Sequence, residues 1–232
     1  MIVSRDNERL KLIRKLHERR WREKLGLFFV EGEDAVEAAT ADPVDLLRAG
    51  EDVEAKLLAD VATASHPPRV IGVYRRADLP AWEARAATLA LWRVADPGNV
   101  GTLIRTADAF GAAVALSDGC ADPTSPKALR ASAGSIWRVP LGTWPVDGRR
   151  VALVAHGGEP VGSVDLAGRV VFLLGAERAG LPTDVERDVD ARIPIARAES
   201  LNVAVSGAIA LYEWQTKTES SPPRHGVRSN QP

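Results

Sequence analysis

The hydrophobic pattern changes character after the first third of the chain, and this change predicts two domains. Up to about residue 82, short apolar runs at 27–30 and 70–74 are separated by polar stretches, which is typical of a small α/β unit. From residue 88, apolar runs alternate with segments of helical periodicity, which predicts a mostly parallel sheet covered on both faces. We therefore predict an N-terminal domain over residues 1–82 and a second α/β domain over residues 88–216.

The same pattern predicts the individual elements. Apolar spacing indicates one amphipathic helix over residues 7–24, ended by Gly26, and a further helix over 34–41. The predicted strands are 27–30, 56–59, 70–74, 88–94, 113–117, 151–155, 170–174 and 192–195. The predicted helices of the second domain are 100–110, 126–133, 182–189 and 201–214. Residues 217–232 are too polar to bury a core, so we expect a disordered tail.

Composition narrows the class of protein. The chain has 232 residues, of which 45% are hydrophobic and 26% charged, as in an ordinary globular protein. Its single cysteine, Cys120, excludes an internal disulfide and a cysteine-based metal site, and its four histidines show no ligand spacing, so no metal is expected. We expect a cytoplasmic protein, because the sequence lacks an apolar stretch of about 20 residues and a signal peptide.

Charge is distributed unevenly, although the net charge is only -1. Residues 1–30 contain nine Lys or Arg against four Asp or Glu, whereas residues 31–60 contain two against ten. The basic stretch is therefore the better candidate for contact with phosphate groups.

The first motif surrounds Asn99, which follows an apolar strand and precedes a helix. Asn99 is a suitable N-cap, because its side chain can accept a hydrogen bond from a free backbone N–H of the first turn. Arg105 is a cation in the middle of this helix, and its planar guanidinium suits bidentate binding of a phosphate. A solvated surface arginine is the alternative for Arg105 taken alone.

Two further motifs follow. Gly175 ends an apolar strand where a ligand can approach the backbone closely, and Glu177 comes directly after it; a turn with a surface Glu is the alternative. Ser200 is a candidate cap for a helix whose wide apolar surface suggests burial against the sheet and against a second subunit. A core helix explains the apolar positions but not the run from Ser200 to Asn202.

Together, the segments 99–105, 174–177 and 200–205 resemble the SpoU/TrmH family of RNA ribose methyltransferases, as does the segment 123–134. Residues 1–80 more loosely resemble the L30e-like substrate-binding domain of many members, through Lys11, Arg20, Trp21, Arg22 and residues 29–32. The resemblance implies a SPOUT-type domain, in which a deep trefoil knot holds S-adenosylmethionine. Arg178, where many members have Gly, and the loop 196–199 depart from the family pattern.

The resemblance also implies roles for individual residues and a homodimer formed through the knotted domain. The cofactor would be bordered by Ala155, His156, Gly175, Ile193 and Leu201. The catalytic cluster would be Arg105, Asn99, Glu177, Ser200 and Asn202. RNA phosphates would be contacted by Arg14, Lys15, Arg19, Arg20, Arg22, Lys24, Lys127 and Arg130.

The expected activity is methylation of a ribose 2′-hydroxyl in ribosomal RNA, with tRNA as the alternative substrate. Arginine stays protonated in proteins, so we expect Arg105 to hold a phosphate and stabilise charge on the 2′-oxygen, not to act as a base. Asn99 and Ser200 would fix Arg105 and the ribose by hydrogen bonds. Glu177 would orient Asn99 or nearby backbone, and Asn202 would support the cofactor loop.

Two alternatives belong to other classes of protein. One is a catalytically silent RNA-binding or ribosome-assembly protein on the same fold. The other is a dinucleotide-binding oxidoreductase, for which the glycine-rich turn after the first strand is missing.

Overall fold

The computed structural model describes residues 1–64 and 66–220 and contains two β-sheets. The smaller has three strands and the larger has seven. Every strand pairing within the larger sheet is parallel, which confirms the predicted α/β class. None of the helices among the described residues combines the length and the apolar character that a bilayer crossing needs.

The N-terminal part of the chain forms the smaller sheet, whose strands are antiparallel and lie in the order β1-β3-β2, together with four helices. In chain order they are α1 (Glu8–Leu16), α2 (Arg19–Leu25), β1 (Leu27–Glu31), α3 (Glu33–Glu37), β2 (Asp45–Arg48), α4 (Ala55–Val61) and β3 (Val70–Arg75). Phe29 and Leu47 pack with α1 and α4 on one face, whereas Phe28 and Tyr74 join the core of the larger domain. Strands β1 and β3 are buried on both faces over their central residues, which are therefore apolar in a continuous run, whereas β2 begins and ends with a charged residue.

The helix predicted over residues 7–24 is wrong, because it is broken between α1 and α2. Apolar residues recur at helical spacing through α1, but its last one, Leu16, is followed by four residues without an aliphatic side chain before Trp21, so the two halves cannot bury one continuous stripe. Arg22 donates hydrogen bonds of 2.8 Å to the carbonyl oxygens of Leu16 and His17, which satisfies backbone groups at the break.

Two other N-terminal predictions also fail, while Gly26 does end α2, in the left-handed conformation at φ 64. The strand predicted over 56–59 is the helix α4, because Leu57, Leu58 and Val61 share one helical face and are buried together. The helix predicted over 34–41 is only the short α3, and β2 was not predicted at all.

The larger sheet has the order β6-β5-β4-β9-β7-β10-β8. The elements of this domain are β4 (Ala87–Leu91), α5 (Pro97–Ala109), β5 (Ala113–Leu116), α6 (Pro126–Ser132), β6 (Leu141–Thr143), β7 (Arg149–Leu153), β8 (Glu159–Pro160), β9 (Val170–Leu174), β10 (Val189–Arg192) and α7 (Val203–Ser220). Short 3-10 turns lie at Arg76–Asp78, Ser135–Trp137 and Val161–Ser163. Because β4, β9 and β7 are parallel neighbours, the loops after them meet at one edge of the sheet.

The two faces of the larger sheet are covered differently. On one face, α5, α6 and α7 share a core with the strands. There α7 packs so closely on α5 that a Cβ added at Gly207 would lie 2.5 Å from a methyl carbon of Leu103. The opposite face is covered by segments outside the helices: alternate strand residues pack against Trp144, Val146, Val154, Leu181 and Val185.

The C-terminal predictions need three corrections. The helix predicted over 182–189 is absent; the segment is irregular up to β10, and the Arg187 side chain bonds the carbonyl oxygens of Pro182 and Val185. The strand predicted over 192–195 ends at Arg192, two residues before Pro194, which has no N–H for a ladder. Helix α7 continues to Ser220, so residues 217–220 are helical and not a disordered tail; residues 221–232 lie outside the described part. The knot and the domain limits stay predictions.

The two domains share buried contacts. The Trp137 ring lies 5.5 Å from the Phe28 ring and 4.9 Å from the Tyr74 ring, between centroids. Beside this aromatic cluster, Arg22 of α2 donates to the carboxylate of Asp122 at 2.8 Å, and both side chains are only 3% exposed. These contacts hold the basic helix α2 in one place relative to the larger sheet.

Candidate active site

A cavity of about 570 Å³ opens beyond the carboxyl ends of β7 and β9. Three segments line it: residues 153–156, residues 174–180, and residues between 193 and 206. Ligands of parallel α/β sheets bind at this edge, and the volume lies in the range of about 300–1,000 Å³ that is common for small-molecule sites. All five predicted cofactor residues line this one cavity: Ala155, His156, Gly175, Ile193 and Leu201.

Gly175 lies where two backbone segments touch. Ala176 and Gly180 exchange backbone hydrogen bonds of 3.2 and 2.9 Å, which close a tight turn over residues 177–179. A Cβ added at Gly175 would lie 2.2 Å from the carbonyl carbon of Gly180, so any other residue would push the turn apart. The cavity wall at this point is therefore backbone, which suits the predicted binding of a cofactor by main-chain groups.

A hydrogen-bond network joins the three sequence motifs at the rim of the cavity. The Asn99 side-chain amide donates to a Glu177 carboxylate oxygen at 3.0 Å, and its oxygen accepts from the Asn202 amide at 3.1 Å. Glu177 also accepts from the backbone N–H groups of Ala95 and Asp96, at 3.3 and 3.2 Å. Glu177 thus holds both Asn99 and the loop before α5, as the predicted orienting role requires.

The carboxylates of this rim are ionised. Partial burial alone would raise the pKa of Glu177, but hydrogen bonds from Asn99 and from its own and neighbouring backbone N–H groups outweigh it and lower this pKa. The pKa of Asp96 is lowered first by its hydrogen bond with Lys127 and then by the backbone N–H of Asn99. Both groups therefore act as hydrogen-bond acceptors near neutral pH.

Both predicted helix caps are wrong by a few residues. Asp96, not Asn99, caps α5, since its side chain accepts from the backbone N–H of Asn99 at 3.0 Å. Asn202, not Ser200, caps α7, since it accepts from the backbone N–H of Ala204 at 2.8 Å. Ser200 instead lines the cavity. Sequence reasoning missed Asp96 as a site residue, although an Asp directly before a Pro in the first helical turn is a strong cap signal.

Arg105 lies on α5, six residues beyond Asn99 and thus about 9 Å further along the helix axis. Its side chain is exposed, is not part of the cavity wall, and forms no hydrogen bond or ion pair within the part of the chain that the structure describes. The predicted bonds from Asn99 and Ser200 to Arg105 are therefore absent, because Asn99 is committed to Glu177 and Asn202. A guanidinium without internal partners is available to an external anion.

Arg22 cannot be the RNA contact that the sequence predicted. Its side chain is 3% exposed and its donors are directed to Asp122, Leu16 and His17. Asp122 is held further by Arg76 at 3.2 Å and by the hydroxyl and N–H of Thr124. Arg22 therefore belongs to the contact between the domains, a role that its basic neighbours in the sequence concealed.

The other predicted RNA contacts are less buried, and most have internal partners. Arg19 pairs with Glu23, Arg20 with Glu18, Lys127 with Asp96, Arg130 with Glu31, and Arg14 donates to a backbone carbonyl. Lys15, Arg20 and Lys24 surround the Trp21 ring at 5.5, 5.6 and 5.1 Å from its centroid. This group concentrates positive charge where α1 and α2 meet. No group of three or more His, Cys, Asp and Glu arranged for a metal occurs among residues 1–64 and 66–220.

Comparison with family profiles gives two matches. The profile described as SpoU rRNA Methylase family matches residues 86–212, more than half of the chain, and this span contains the three motifs and the cavity. The profile described as MRM3-like substrate binding domain matches residues 7–56, inside the predicted N-terminal domain. These matches confirm the predicted resemblance.

Individual relatives agree with the profiles. The chain is 31% identical to the 23S rRNA (guanosine(2553)-2′-O)-methyltransferase RlmP of Bacillus subtilis, over 91% of this chain and 97% of RlmP. An AdoMet-bound rRNA methyltransferase from Sinorhizobium meliloti superposes with TM-score 0.82 at 30% identity, covering 93% of this chain and 97% of that one. The SpoU methyltransferase AviRb of Streptomyces viridochromogenes, in complex with AdoMet, superposes with TM-score 0.81 at 26% identity, covering 93% and 100%. The chain therefore belongs to the SpoU rRNA methylase family.

Proposed function

We propose that this protein transfers a methyl group from S-adenosylmethionine to a ribose 2′-hydroxyl of ribosomal RNA. The relative from Bacillus subtilis carries this activity in its name, and the two superposed structures from other bacteria contain AdoMet. A solved structure that concerns the 2-OH methylation of C/U34 on tRNA covers only 58% of this chain, with TM-score 0.54. Similarity over more than nine-tenths of the chain therefore favours ribosomal RNA over tRNA as the substrate.

The observation that carries this proposal is the network of Glu177, Asn99 and Asn202 at the rim of the cavity. It ties the ends of two helices and the turn after β9 into one fixed arrangement beside a site for a small molecule. A protein that only binds RNA has no evident use for an ionised carboxylate held at the mouth of such a cavity. The second candidate, a catalytically silent RNA-binding protein, lacks an observation of this kind.

We assign different roles in the reaction to Gly175, Glu177 and Arg105. S-adenosylmethionine supplies an electrophilic methyl group when it is bound. Gly175 and the adjoining backbone would hold the cofactor, while Glu177 fixes Asn99 and the loop before α5. Arg105 binds a phosphate beside the target ribose and stabilises the charge that develops on the 2′-oxygen as its proton passes to a phosphate oxygen or water.

Methyl transfer is tested with S-adenosylmethionine tritiated in the methyl group, offered with an unmodified 23S rRNA transcript and, in parallel, with tRNA. We expect label in the 23S transcript, recovered after nuclease digestion as a 2′-O-methylnucleoside. Label in a methylated base would contradict the proposed position of attack. RNA binding without any label would favour the catalytically silent alternative.

We propose that the functional unit is a homodimer in which α7 packs against its copy. Val205, Ile209 and Tyr212 form one stripe of α7, and Val205 and Tyr212 are 47% and 61% exposed although most residues of the helix up to 215 are covered. A contiguous exposed apolar stripe on a helix indicates an interface.

The stripe makes Tyr212→Glu a direct test of the homodimer. We expect this variant to sediment as a monomer where the unmodified protein sediments as a dimer, because two carboxylates would be buried at the symmetric contact. Thr218→Glu, on an exposed residue of the same helix outside the stripe, is the matched control and keeps the mass of the unmodified protein. A dimer that survives Tyr212→Glu places the interface elsewhere.

A further inference from the structure

Arg93 holds a backbone conformation that favours glycine. It follows β4 at the carboxyl edge of the larger sheet and has φ 51. Within the described residues only Ala133 shares a positive φ without being glycine. A side chain in this region costs free energy that glycine avoids, so an arginine at this position, on the edge where the cavity opens, points to a use for its guanidinium.

Arg93 is held in place by its backbone and by packing, but its guanidinium has no carboxylate partner among the described residues. Its backbone N–H donates to Ser117 Oγ at 2.9 Å, and its side chain lies over Gly119, where an added Cβ would be 3.1 Å from Arg93 Nε. The side chain is exposed, and no carboxylate of residues 1–64 or 66–220 forms an ion pair with it. Its planar set of N–H donors is therefore open to a bidentate acceptor such as a phosphate.

Arg93 lies between the N-terminal domain and the rim of the cavity. On one side, the loop that carries Ser117 and Gly119 reaches α2, where Arg19 donates to the carbonyl oxygen of Cys120 at 3.2 Å. On the other side, two residues along the chain, Ala95 donates to Glu177. A polynucleotide that contacts both α2 and the cavity would pass this position.

We infer that Arg93 binds a phosphodiester group of the RNA, between the part held by the N-terminal domain and the reacting ribose. This rests on the proposed function, in which RNA is the substrate. It adds to the predicted basic contacts a residue that charge density along the sequence does not single out, because no other Lys or Arg lies within ten residues on either side of Arg93 except Arg85. Its backbone conformation, visible only in the fold, singles it out.

The variant Arg93→Gly distinguishes binding of RNA from a structural role of Arg93. Loss of an RNA contact lowers RNA affinity, whereas loss of a structural contact lowers the midpoint of thermal unfolding. We expect affinity for the 23S rRNA transcript to fall on the order of fivefold, and the slope of log affinity against log salt to decrease by about one. Cofactor affinity should not change. The midpoint of thermal unfolding should stay equal or rise by about 3 °C, since glycine relieves the strain.

Arg169→Gly is the matched control, because it removes an exposed arginine before β9, at the opposite edge of the same sheet. It should leave RNA affinity and salt slope unchanged. Equal affinity and slope for Arg93→Gly and the unmodified protein would overturn the inference, as would an equal loss in Arg169→Gly. Failure of the unmodified protein to transfer methyl groups would overturn the proposed function alone, since the binding titration needs no turnover.

Discussion

Replacing Arg105 by alanine is expected to reduce methyl transfer on the order of a thousandfold while S-adenosylmethionine still binds. The guanidinium is exposed, has no partner within the described chain, and lies on the helix that presents Asn99 at the cavity rim. Loss of one positioned donor for a developing oxyanion costs about 10²–10³ in rate, and loss of the phosphate contact adds to this. Because Arg105 does not line the cavity, calorimetry should give an unchanged cofactor affinity.

Two further variants define what Arg105 supplies. Arg105→Lys keeps the charge but loses the planar fork, so we expect an intermediate rate. Arg169→Ala removes an exposed arginine far from the cavity and should keep full activity. Single-turnover rates for Arg105→Ala that equal those of the unmodified protein would remove Arg105 from the catalytic cluster.

The second large effect is expected on folding. Arg22→Ala should lower the free energy of unfolding by about 3–5 kcal/mol, because it leaves the buried Asp122 carboxylate without its closest charged partner and removes the donor that the carbonyl groups of Leu16 and His17 share. Urea denaturation measures this change. Arg19→Ala, which removes an exposed pair with Glu23 and one hydrogen bond to the carbonyl oxygen of Cys120, should cost no more than about 1–2 kcal/mol. Similar losses for the two variants would contradict the assigned role of Arg22.

The same pair predicts a pH dependence of stability. Burial alone would raise the pKa of Asp122, but hydrogen bonds from Thr124 and the cations of Arg76 and Arg22 outweigh it and lower this pKa. The stabilisation is therefore complete above the unfolded value near about 4 and is lost as pH falls through the lower folded value. Asp122→Asn should unfold more easily at neutral pH and show a weaker acid dependence than the unmodified protein.

The sequence predicts the central strands of the larger sheet well, because β4, β5 and β9 are buried on both faces. The short edge strands β6 and β8 have no continuous apolar run and were not predicted. A continuous apolar run such as β9 can be predicted as a buried strand without knowing which strands lie beside it. The predictions fail where contacts within the folded protein determine the local structure. The acidic segment over 182–189 has two valines but no sustained apolar helical stripe. It forms no helix, and the Arg187 side chain bonds backbone carbonyl groups of the segment instead. The knot has no periodicity of its own, so only family resemblance can suggest it.

Some residues of the site could likewise be predicted from the sequence, and others could not. Gly175, Glu177 and Asn202 could be assigned to one cavity because their motifs end strands or begin helices at the same edge of the sheet. The burial of Arg22 could not be predicted, because its partner Asp122 is 100 residues away and a basic helix resembles an RNA-binding surface. Arg93 could not be predicted as a functional residue either, because its positive φ angle cannot be inferred from composition or spacing.

A structure of the protein soaked with S-adenosylmethionine tests the central claim most directly. We expect the cofactor in the cavity formed by residues 153–156, 174–180 and 193–206, held by backbone around Gly175, with its methyl group directed to the rim where Asn99 and Glu177 meet. A cofactor bound outside this cavity, or a methyl group facing away from that rim, would contradict it.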